Sequence, residues 1–330
     1  MKWVDNLKNW KHDIVKNAKY YFIVPVAIVV FALIMWCIQG LNIGIDFTGG
    51  TSVSVKFGNE LMQENSYNAR VNEVNQVMKE YGLTMATDQR IGEGDNAKLQ
   101  VRYQNVSGKS NEEMQEISNQ FIQALQVKYP DIEVDNATTI SASASASLLL
   151  NALLAICIAV VLIVIYLALR FKQWTFGLCS IISMVHDVLI MLAFMVIFHL
   201  EISSTFVAAL ITIVGYSINN NVVIFDRIRE NKKIMQKQSI SEIANASIKQ
   251  TLTRTIVTTL TTFVVVFCLL FVGISGITSF ALPITIGLIA SFYSSVFVAS
   301  PLWAIFTDLQ NKNNKSLAKK PVDDGAVIGK

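Results

Sequence analysis

The sequence is poor in the residues that build metal centres and disulfide frameworks. Its 330 residues include three histidines and four cysteines, the histidines are scattered, and every cysteine lies in an apolar run. A disulfide framework, a zinc site and a histidine metal cluster are therefore not expected. No G-x-x-x-x-G-K-S/T motif for nucleotide phosphates occurs, which argues against ATP hydrolysis. We predict a protein that is not an enzyme and that has no cofactor and no metal site.

Charge is also scarce. Only 15% of the residues are charged, compared with about 25% in soluble domains. The net charge of +3 is too small to argue for nucleic-acid binding. What the chain has instead is apolar surface, since 52% of its residues are hydrophobic and the mean hydropathy is +0.46. This composition predicts an integral membrane protein that carries a sizeable polar part.

Six apolar runs are long enough to cross a bilayer as helices. They lie at about residues 20–38, 148–169, 177–198, 205–225, 255–272 and 280–306. The first run is too long for the apolar part of a signal peptide, and no small-residue cleavage site follows it. We therefore interpret it as a retained span.

The orientation of the spans follows from the lysines and arginines in the short connections. These residues cluster before the first span, between the second and third, between the fourth and fifth, and after the sixth. The opposite short loops, at residues 199–204 and 273–279, carry none. Both termini are therefore predicted to be cytoplasmic in a multi-pass protein of the plasma membrane. The predicted divisions are a cytoplasmic segment 1–19, a first span 20–38, an extracytoplasmic domain with a Ser/Ala linker 39–147, a five-span bundle 148–306 and a cytoplasmic tail 307–330.

The long outer segment reads as a small α+β domain. Alternating stretches such as TSVSVKF predict strands, and two amphipathic stretches predict helices, in the order β-α-β-β-α-β of a ferredoxin-like unit. The following SASASAS, at residues 141–147, is interpreted either as a flexible linker or as a hinge for the outer domain. On the cytoplasmic side, SISEIANASI at residues 239–248 opens with a helix-capping pattern and predicts a short surface helix.

Two groups of polar residues lie inside predicted spans, where such groups are costly and usually functional. His186 and Asp187 fall near the middle of the third span, and they are either a proton relay or a pair that locks two helices together. Asn219, Asn220 and Asn221 fall near the inner end of the fourth span. They are either part of a polar transport seam or hydrogen-bonding contacts between helices.

Further candidates lie at the membrane boundary. Arg254 enters the fifth span among a stripe of threonines, so it is either part of a wetted path or an anchor that reaches the interface. A charged group closes the fourth span and is expected to end that span by pairing internally or with a partner chain; it consists of Asp226, Arg227, Arg229 and Glu230.

The chain resembles the SecF family of bacterial protein-export membrane subunits along nearly its whole length. Four separated motifs carry the resemblance: GIDFTGGT at 44–51, HD at 186–187, GYSINNNVVIFDRIREN at 215–231 and TRTIVTTLTT at 253–262. The first of these supplies the family glycines and aspartate, Gly44, Asp46, Gly49 and Gly50. The resemblance implies six spans and an outer domain, related in architecture to half of a resistance-nodulation-division transporter.

The resemblance also implies partners and a mechanism. It implies pairing with SecD, assistance to the SecYEG channel and the SecA motor, unfolded preproteins as substrates, and use of the proton-motive force in the lipid bilayer. The family's proton path includes an aspartate on the fourth span and an arginine on the fifth, which correspond to Asn220 and Arg254 here. Because an amide cannot carry a proton near neutral pH, coupling rests on SecD with His186 and Asp187, or uses another ion, or is weak. A half-size transporter of lipids or small molecules and a non-coupling scaffold are the alternative functions.

Overall fold

The computed structural model describes residues 13–57, 64–91, 97–106, 109–171, 173–271 and 275–317. Predictions about residues 1–12, residues 318–330 and Lys172 lie outside this part of the chain. In chain order the elements are α1 Ala18–Gln39, α2 Ile45–Thr48, β1 Gly50–Lys56, α3 Glu64–Glu80, β2 Met85–Ile91, β3 Lys98–Gln104, α4 Asn111–Lys128, β4 Glu133–Ile140, α5 Ala142–Arg170, α6 Trp174–Ile197, α7 Ser204–Ile234, α8 Ile240–Leu270, α9 Ser275–Tyr293, a π-helical segment Ser294–Ala299 and α10 Ser300–Leu317.

Six helical stretches are long and apolar enough to cross a membrane, which confirms the predicted number of spans. They are α1, α5, α6, α7, α8 and a sixth span that runs from α9 through the π-helical segment into α10. Half (50%) of the most apolar stretch of α6 and of α7 is buried, and 67% of that of the sixth span, against 11% in α1, 6% in α5 and 11% in α8. The third, fourth and sixth spans therefore form the centre of the bundle.

The outer domain is a four-stranded sheet with two helices. Its strand order is β2-β3-β1-β4, and all neighbouring strands are antiparallel. The alternation of β3 turns every second side chain toward the helices, and the buried core contains Leu99, Val101, Tyr103, Val74, Met78 and Phe121. The order of elements, β-α-β-β-α-β, is the one that the sequence predicts.

The Ser/Ala segment at residues 141–147 is not an irregular linker, which corrects the sequence-based interpretation. Ser141 is the N-cap of α5, since its hydroxyl accepts a hydrogen bond from the Ala144 N–H at 3.2 Å. Alanine has the highest helix propensity, and a serine that caps the first turn outweighs the composition of a flexible linker. The second span is therefore joined to β4 through the single residue Ser141.

The stretch at residues 239–248 is also different from the prediction of a separate surface helix. Ser239 and Glu242 form the predicted capping box, but the helix continues without a break through the whole of α8. No glycine or proline interrupts the sequence between Ser239 and Leu270, so nothing stops the helix at the membrane boundary. The fourth and fifth spans thus extend together beyond the bilayer as a helical hairpin.

The sixth span contains a π-helical turn at Ser294–Ala299. The Ser300 hydroxyl donates to the Ser295 carbonyl oxygen at 2.9 Å, which is a contact to the residue five positions earlier. A π turn inserts one extra residue into a helix and rotates the side chains that follow it. In this protein it brings adjacent serines to the centre of the bundle.

Candidate functional site

The centre of the candidate site is the carboxylate of Asp187, which is fully buried in α6. One carboxylate oxygen accepts a hydrogen bond from the Ser217 hydroxyl of α7 at 2.6 Å. The other oxygen lies 2.9 Å from Nδ1 of His186. The hydroxyl of Ser294, in the sixth span, also bonds to this carboxylate. One ionisable group is therefore held by side chains from all three central spans.

A shell of serines extends the site along the sixth span. The Ser294 hydroxyl lies 2.9 Å from that of Ser183 on α6 and 3.2 Å from the carbonyl oxygen of Ser291. Nδ2 of Asn220 donates to the Ser291 hydroxyl at 3.2 Å. Each of these serines is fully buried. We call the connected group the Asp187 network; its members are Ser183, His186, Asp187, Ser217, Asn220, Ser291 and Ser294.

The three consecutive asparagines of α7 have three different environments. Asn219 is exposed on the outside of the bundle. Asn220 is buried and belongs to the Asp187 network. Asn221 is 1% exposed, yet neither its amide oxygen nor its amide nitrogen has a hydrogen-bond partner among the described residues. Successive helical residues point about 100° apart, which explains why one run of amides is divided in this way.

His186 lies at the edge of the network, next to the first span. Its ring stacks on Tyr293 with a centroid distance of 6.2 Å and an interplanar angle of 13°. Its side chain is 12% exposed, and Nε2 has no partner within the described part of the chain. A histidine whose Nδ1 contacts a buried carboxylate and whose Nε2 is unpaired can receive a proton at one nitrogen and pass one on at the other.

Arg254 does not join this network. Asn220 is directed at Ser291 in the sixth span, whereas Arg254 lies on an exposed face of α8. No hydrogen bond or ion pair of the Arg254 side chain is found among the residues that the structure describes. Its neighbours in the threonine stripe bond to their own helix, as the Thr258 hydroxyl does with the Arg254 carbonyl oxygen at 2.9 Å. The chain alone thus presents Arg254 outward, toward lipid or a partner.

The charged group at the end of the fourth span pairs both internally and with other helices. Asp226 forms ion pairs with Arg170 at the end of α5 and with Arg229, the latter at 3.4 Å. Arg227 pairs with Glu230 at 2.7 Å. Arg227 also donates to Gln250 of α8 at 2.5 Å. These contacts lie outside the Asp187 network and join neighbouring ends of the second, fourth and fifth spans.

The glycine motif after the first span docks against the loop between α6 and α7. The Gly44 N–H donates to the Ile202 carbonyl oxygen at 3.0 Å, and the Asp46 carboxylate accepts from the Ser204 N–H at 2.9 Å. The Asp46 carboxylate thereby caps the start of α7, because an N–H group in the first turn of a helix has no acceptor within that helix. Gly49 has a φ of 75°. A Cβ at Gly50 would overlap the Tyr103 carbonyl oxygen. At both positions, therefore, a side chain larger than that of glycine would be sterically unfavourable.

An ion pair beside the motif joins the outer domain to the membrane bundle. Arg102 of β3 pairs with Glu201 in the loop between α6 and α7. Burial raises the pKa of the Glu201 carboxyl, and the Arg102 guanidinium opposes this rise. A Cβ at Gly44 would lie 2.6 Å from a Glu201 carboxylate oxygen, so a glycine at this position leaves room for the pair.

Sequence reasoning found Asp187, His186 and Asn220 but missed the serines that connect them. Ser291 and Ser294 lie in an apolar helix, where single hydroxyls commonly bond to their own backbone and attract no attention. The available signal was their density, since SFYSSVFVAS places four serines within ten residues of the sixth span. The described residues contain no group of three or more His, Cys, Asp or Glu side chains that could hold a metal ion. The Asp187 network contains one carboxylate, one imidazole and several hydroxyls, which are groups that can hold and move a proton.

Comparison with known proteins places this arrangement in a family. A family model described as "Protein export membrane protein SecD/SecF, C-terminal" matches residues 120–309, and the "SecD/SecF GG Motif" model matches residues 34–60. The chain is 29% identical to the protein translocase subunit SecF of Petrotoga mobilis, over 92% of this chain and 99% of that one. It is 34% identical to that of Gemmatimonas aurantiaca, over 87% and 86%.

Solved structures give the same result for the fold. The chain superimposes on the crystal structure of SecDF, a translocon-associated membrane protein from Thermus thermophilus, with a TM-score of 0.75 and 31% identity, covering 91% of this chain and 39% of that one. For SecDF in a super-membrane-facing form, the TM-score is 0.64 at 29% identity, covering 93% and 40%. The chain therefore corresponds in length to about two fifths of a SecDF protein.

Proposed function

This chain belongs to the SecD/SecF family of protein-export membrane proteins, and we propose that it is the SecF-type half of an accessory unit of the Sec protein translocase. In this proposal it pairs with a SecD-type half in the plasma membrane and keeps both termini in the cytoplasm. The unit uses the proton-motive force to complete export of unfolded preproteins through a SecYEG-type channel after the SecA-driven step. The family match over residues 120–309 carries the proposal.

The geometry favours Asp187 as the group that carries the proton in this chain. It is the fully buried ionisable side chain of the Asp187 network, and its partners come from the third, fourth and sixth spans. A change in its charge must alter the hydrogen bonds of all three helices, since a charged carboxylate accepts bonds and a protonated one also donates. This links proton binding to the packing of the bundle. Asn220, at the position that the resemblance assigns to an aspartate, cannot titrate in this way. Its amide instead donates a hydrogen bond to Ser291.

The outward face of α7 and α8 favours a second half as partner. Asn219 and Arg254 are both exposed on this chain, and polar groups facing lipid are costly. A SecD-type half that covers this face would give them hydrogen-bond and ion-pair partners. The chain's length, about two fifths of a SecDF protein, is in accord with such a missing half.

Purification separates the three candidate functions. A SecD-type protein and the channel should accompany the chain if it is a translocase subunit or a scaffold. A half-size transporter would instead purify as a self-assembled oligomer. The scaffold and the coupled subunit then differ in their dependence on the proton gradient.

The decisive experiment measures preprotein export into membrane vesicles with and without a protonophore. Asp187→Asn should reduce export to the level that remains with protonophore, because the amide keeps the shape of the carboxylate but carries no proton. Asp308→Asn is the matched control, since Asp308 is exposed further along the sixth span. Equal gradient-dependent export by wild type and Asp187→Asn would reject Asp187 as the coupling group and favour the scaffold.

A further inference from the structure

A layer of aromatic side chains closes the centre of the bundle on one side of Asp187. Phe176 of α6 lies with its ring centroid 5.0 Å from that of Phe225 of α7 and 5.1 Å from that of Trp303 of α10, on which it stacks at 6°. All three side chains are at most 1% exposed. We call these three residues the aromatic layer. It draws one residue from each of the three spans that also build the Asp187 network.

The layer lies toward the proposed cytoplasmic end. Phe176 precedes Asp187 by eleven residues on α6, and Phe225 follows Ser217 by eight on α7. At 1.5 Å of rise per residue, these separations are about 16 Å and about 12 Å. A proton that travels between Asp187 and the cytoplasm along the bundle axis must therefore pass this layer.

Between the layer and Asp187 lies a short polar section. Asn221 stands four residues after Ser217 and four before Phe225, so the three side chains share one face of α7. On α6, Ser180 and Ser183 occupy the corresponding positions between Phe176 and Asp187. Both serines are fully buried and have partners, because the Ser180 hydroxyl donates to the Phe176 carbonyl oxygen at 2.9 Å and Ser183 bonds to Ser294.

Asn221 is the unsatisfied member of this section. The residue is only 1% exposed, and neither amide atom has a partner among the described residues. A primary amide offers two donors and an acceptor, and buried polar atoms of native proteins almost always have partners, protein or water. An internal water needs two to four polar groups, and the unpaired Asn221 amide is one that can bind such a water.

Unpaired polar atoms continue into and beyond the layer. Nε1 of Trp303 is buried without a partner, and so is Oγ1 of Thr307, one helical turn further on α10. Neither atom has a partner among the residues that the structure describes. Apart from this indole N–H, the three packed rings of the layer are apolar, and apolar constrictions stop conduction by expelling water.

We propose that Asn221 binds internal water that extends the Asp187 network toward the cytoplasm, and that the aromatic layer is the gate at the end of this water-filled section. The inference rests on the proposed function, in which Asp187 carries a proton. The layer is closed in this structure, so Asp187 is separated from the cytoplasm. Separation of the rings would let water join Asn221 to Thr307, with the indole N–H of Trp303 as a donor along the way.

The gate is tested by proton flux into proteoliposomes that contain the chain together with its purified SecD-type partner, without channel or motor. Trp303→Ala should raise passive proton flux at least several-fold over wild type, because it removes the largest ring of the layer. Trp303→Phe, which keeps a ring, should leave flux low and shows that the site still folds. Trp174→Ala is the matched control, since Trp174 is 65% exposed at the start of α6. Flux for Trp303→Ala equal to that of wild type would overturn the gate.

The water site is tested with Asn221→Leu. Loss of the amide should return the flux of the Trp303→Ala background to near the wild-type level while thermal stability stays equal or rises, because leucine has the same branched arrangement of side-chain heavy atoms and no unpaired polar atoms. Asn151→Leu is the matched control, since Asn151 is exposed on α5. Undiminished flux with Asn221→Leu would mean that the amide is merely unpaired, and the water site would be rejected.

A third variant separates this inference from the proposed function. Asp187→Asn combined with Trp303→Ala should abolish the added flux if the open gate leads to Asp187. If the flux persists, the layer closes a path that does not include Asp187, and the connection between the gate and Asp187 is rejected while the proposed function is still decided by the export assay. If Asp187→Asn removes gradient-dependent export but Trp303→Ala does not raise proton flux, the proposed function is supported and only the gate is rejected.

Discussion

At residue 220 an amide occupies the position that the resemblance gives to a carboxylate, and its surroundings explain why the chain tolerates it. Asn220 is 2% exposed and donates through Nδ2 to the Ser291 hydroxyl at 3.2 Å. A serine hydroxyl can either donate or accept, so Ser291 suits an amide nitrogen as well as a carboxylate oxygen. The ionisable group of the same network is Asp187, on the neighbouring helix α6.

The double role of Ser291 leads to a prediction for Asn220→Asp. The variant should fold with little change in stability, because the side chain keeps its shape and the Ser291 hydroxyl reverses its direction to donate. It adds a second group that can carry a proton to the Asp187 network. Preprotein export should therefore lose a larger fraction on addition of a protonophore than in wild type. An unchanged protonophore effect would place residue 220 outside the proton path.

The companion variant is Asn220→Leu. It removes the hydrogen bond between the fourth and sixth spans, which should cost about 1 kcal/mol of stability, and it should lower export. Asn151→Leu on the exposed face of α5 again serves as the control for an asparagine inside a span. Export by Asn220→Leu at the wild-type level would mean that the amide contributes packing alone.

At the scale of elements, the sequence predicted what periodicity and length determine. The six spans and the order of the outer strands and helices follow from hydrophobic patterns, which depend on local sequence. The extent of α8 and the start of α5 were missed because composition suggested a surface helix and a linker. The π turn at Ser294–Ala299 and the partners of Asp187 depend on contacts between distant segments, which no local pattern contains. For the same reason the sequence left open whether Arg254 joins a polar path or is an anchor that reaches the interface.

A backbone carbonyl oxygen of the first span receives its hydrogen bond from the sixth span. Pro25 lies inside α1 and has no N–H, so the Tyr21 carbonyl oxygen four residues earlier loses its helical donor. The Tyr293 hydroxyl of α9 donates to this oxygen at 2.7 Å. Within a bilayer an unpaired carbonyl has no water to bond. The contact therefore fixes the first span beside His186, which stacks on the same tyrosine ring.

This pairing predicts a compensation between two substitutions. Tyr293→Phe should lower stability by about 1 kcal/mol, because the Tyr21 carbonyl oxygen loses its donor. In a Pro25→Ala background the alanine N–H supplies that donor, so Tyr293→Phe should have almost no effect. Thermal unfolding of the four proteins in detergent gives the coupling between the two sites. Equal losses in both backgrounds would show that the hydroxyl does not satisfy this carbonyl.

At the scale of the whole molecule, the orientation in the membrane is the property that the charge distribution predicts and the fold does not test. Lys109, in the outer domain, and Lys237, in the loop between α7 and α8, are both exposed. After replacement of the four native cysteines, Lys109→Cys should react with an impermeant thiol reagent in intact cells. Lys237→Cys should react only after the cells are opened. The reverse pattern would contradict the proposed cytoplasmic termini.

A partly buried ion pair contributes to the connection between the outer domain and the membrane bundle. Arg102 and Glu201 have side chains that are 21% and 18% exposed, and Asp46 adds a hydrogen bond to Ser204 beside them. Burial already raises the pKa of Glu201 above its unfolded value, and Arg102 limits the rise. Removing one partner of a buried pair is costly, on the order of 3 kcal/mol. The loss of Arg102 should therefore affect the whole molecule.

The sign of the pH dependence makes this a sharp test. In Arg102→Gln the folded-state pKa of Glu201 should rise further, so the folded state binds a proton more tightly than the unfolded state. Relative to wild type, the destabilisation is then largest above that folded-state pKa, and it shrinks as the pH falls toward the unfolded value of about 4.3 because Glu201 becomes protonated in both folded proteins. We expect Arg102→Gln to unfold at a lower temperature than wild type at pH 8 and to approach wild type at pH 5. Arg102→Gln combined with Glu201→Gln should lose this pH dependence, because the titrating group is gone. A deficit of equal size at both pH values would mean that Arg102 holds the outer domain through packing and not through the charge of Glu201.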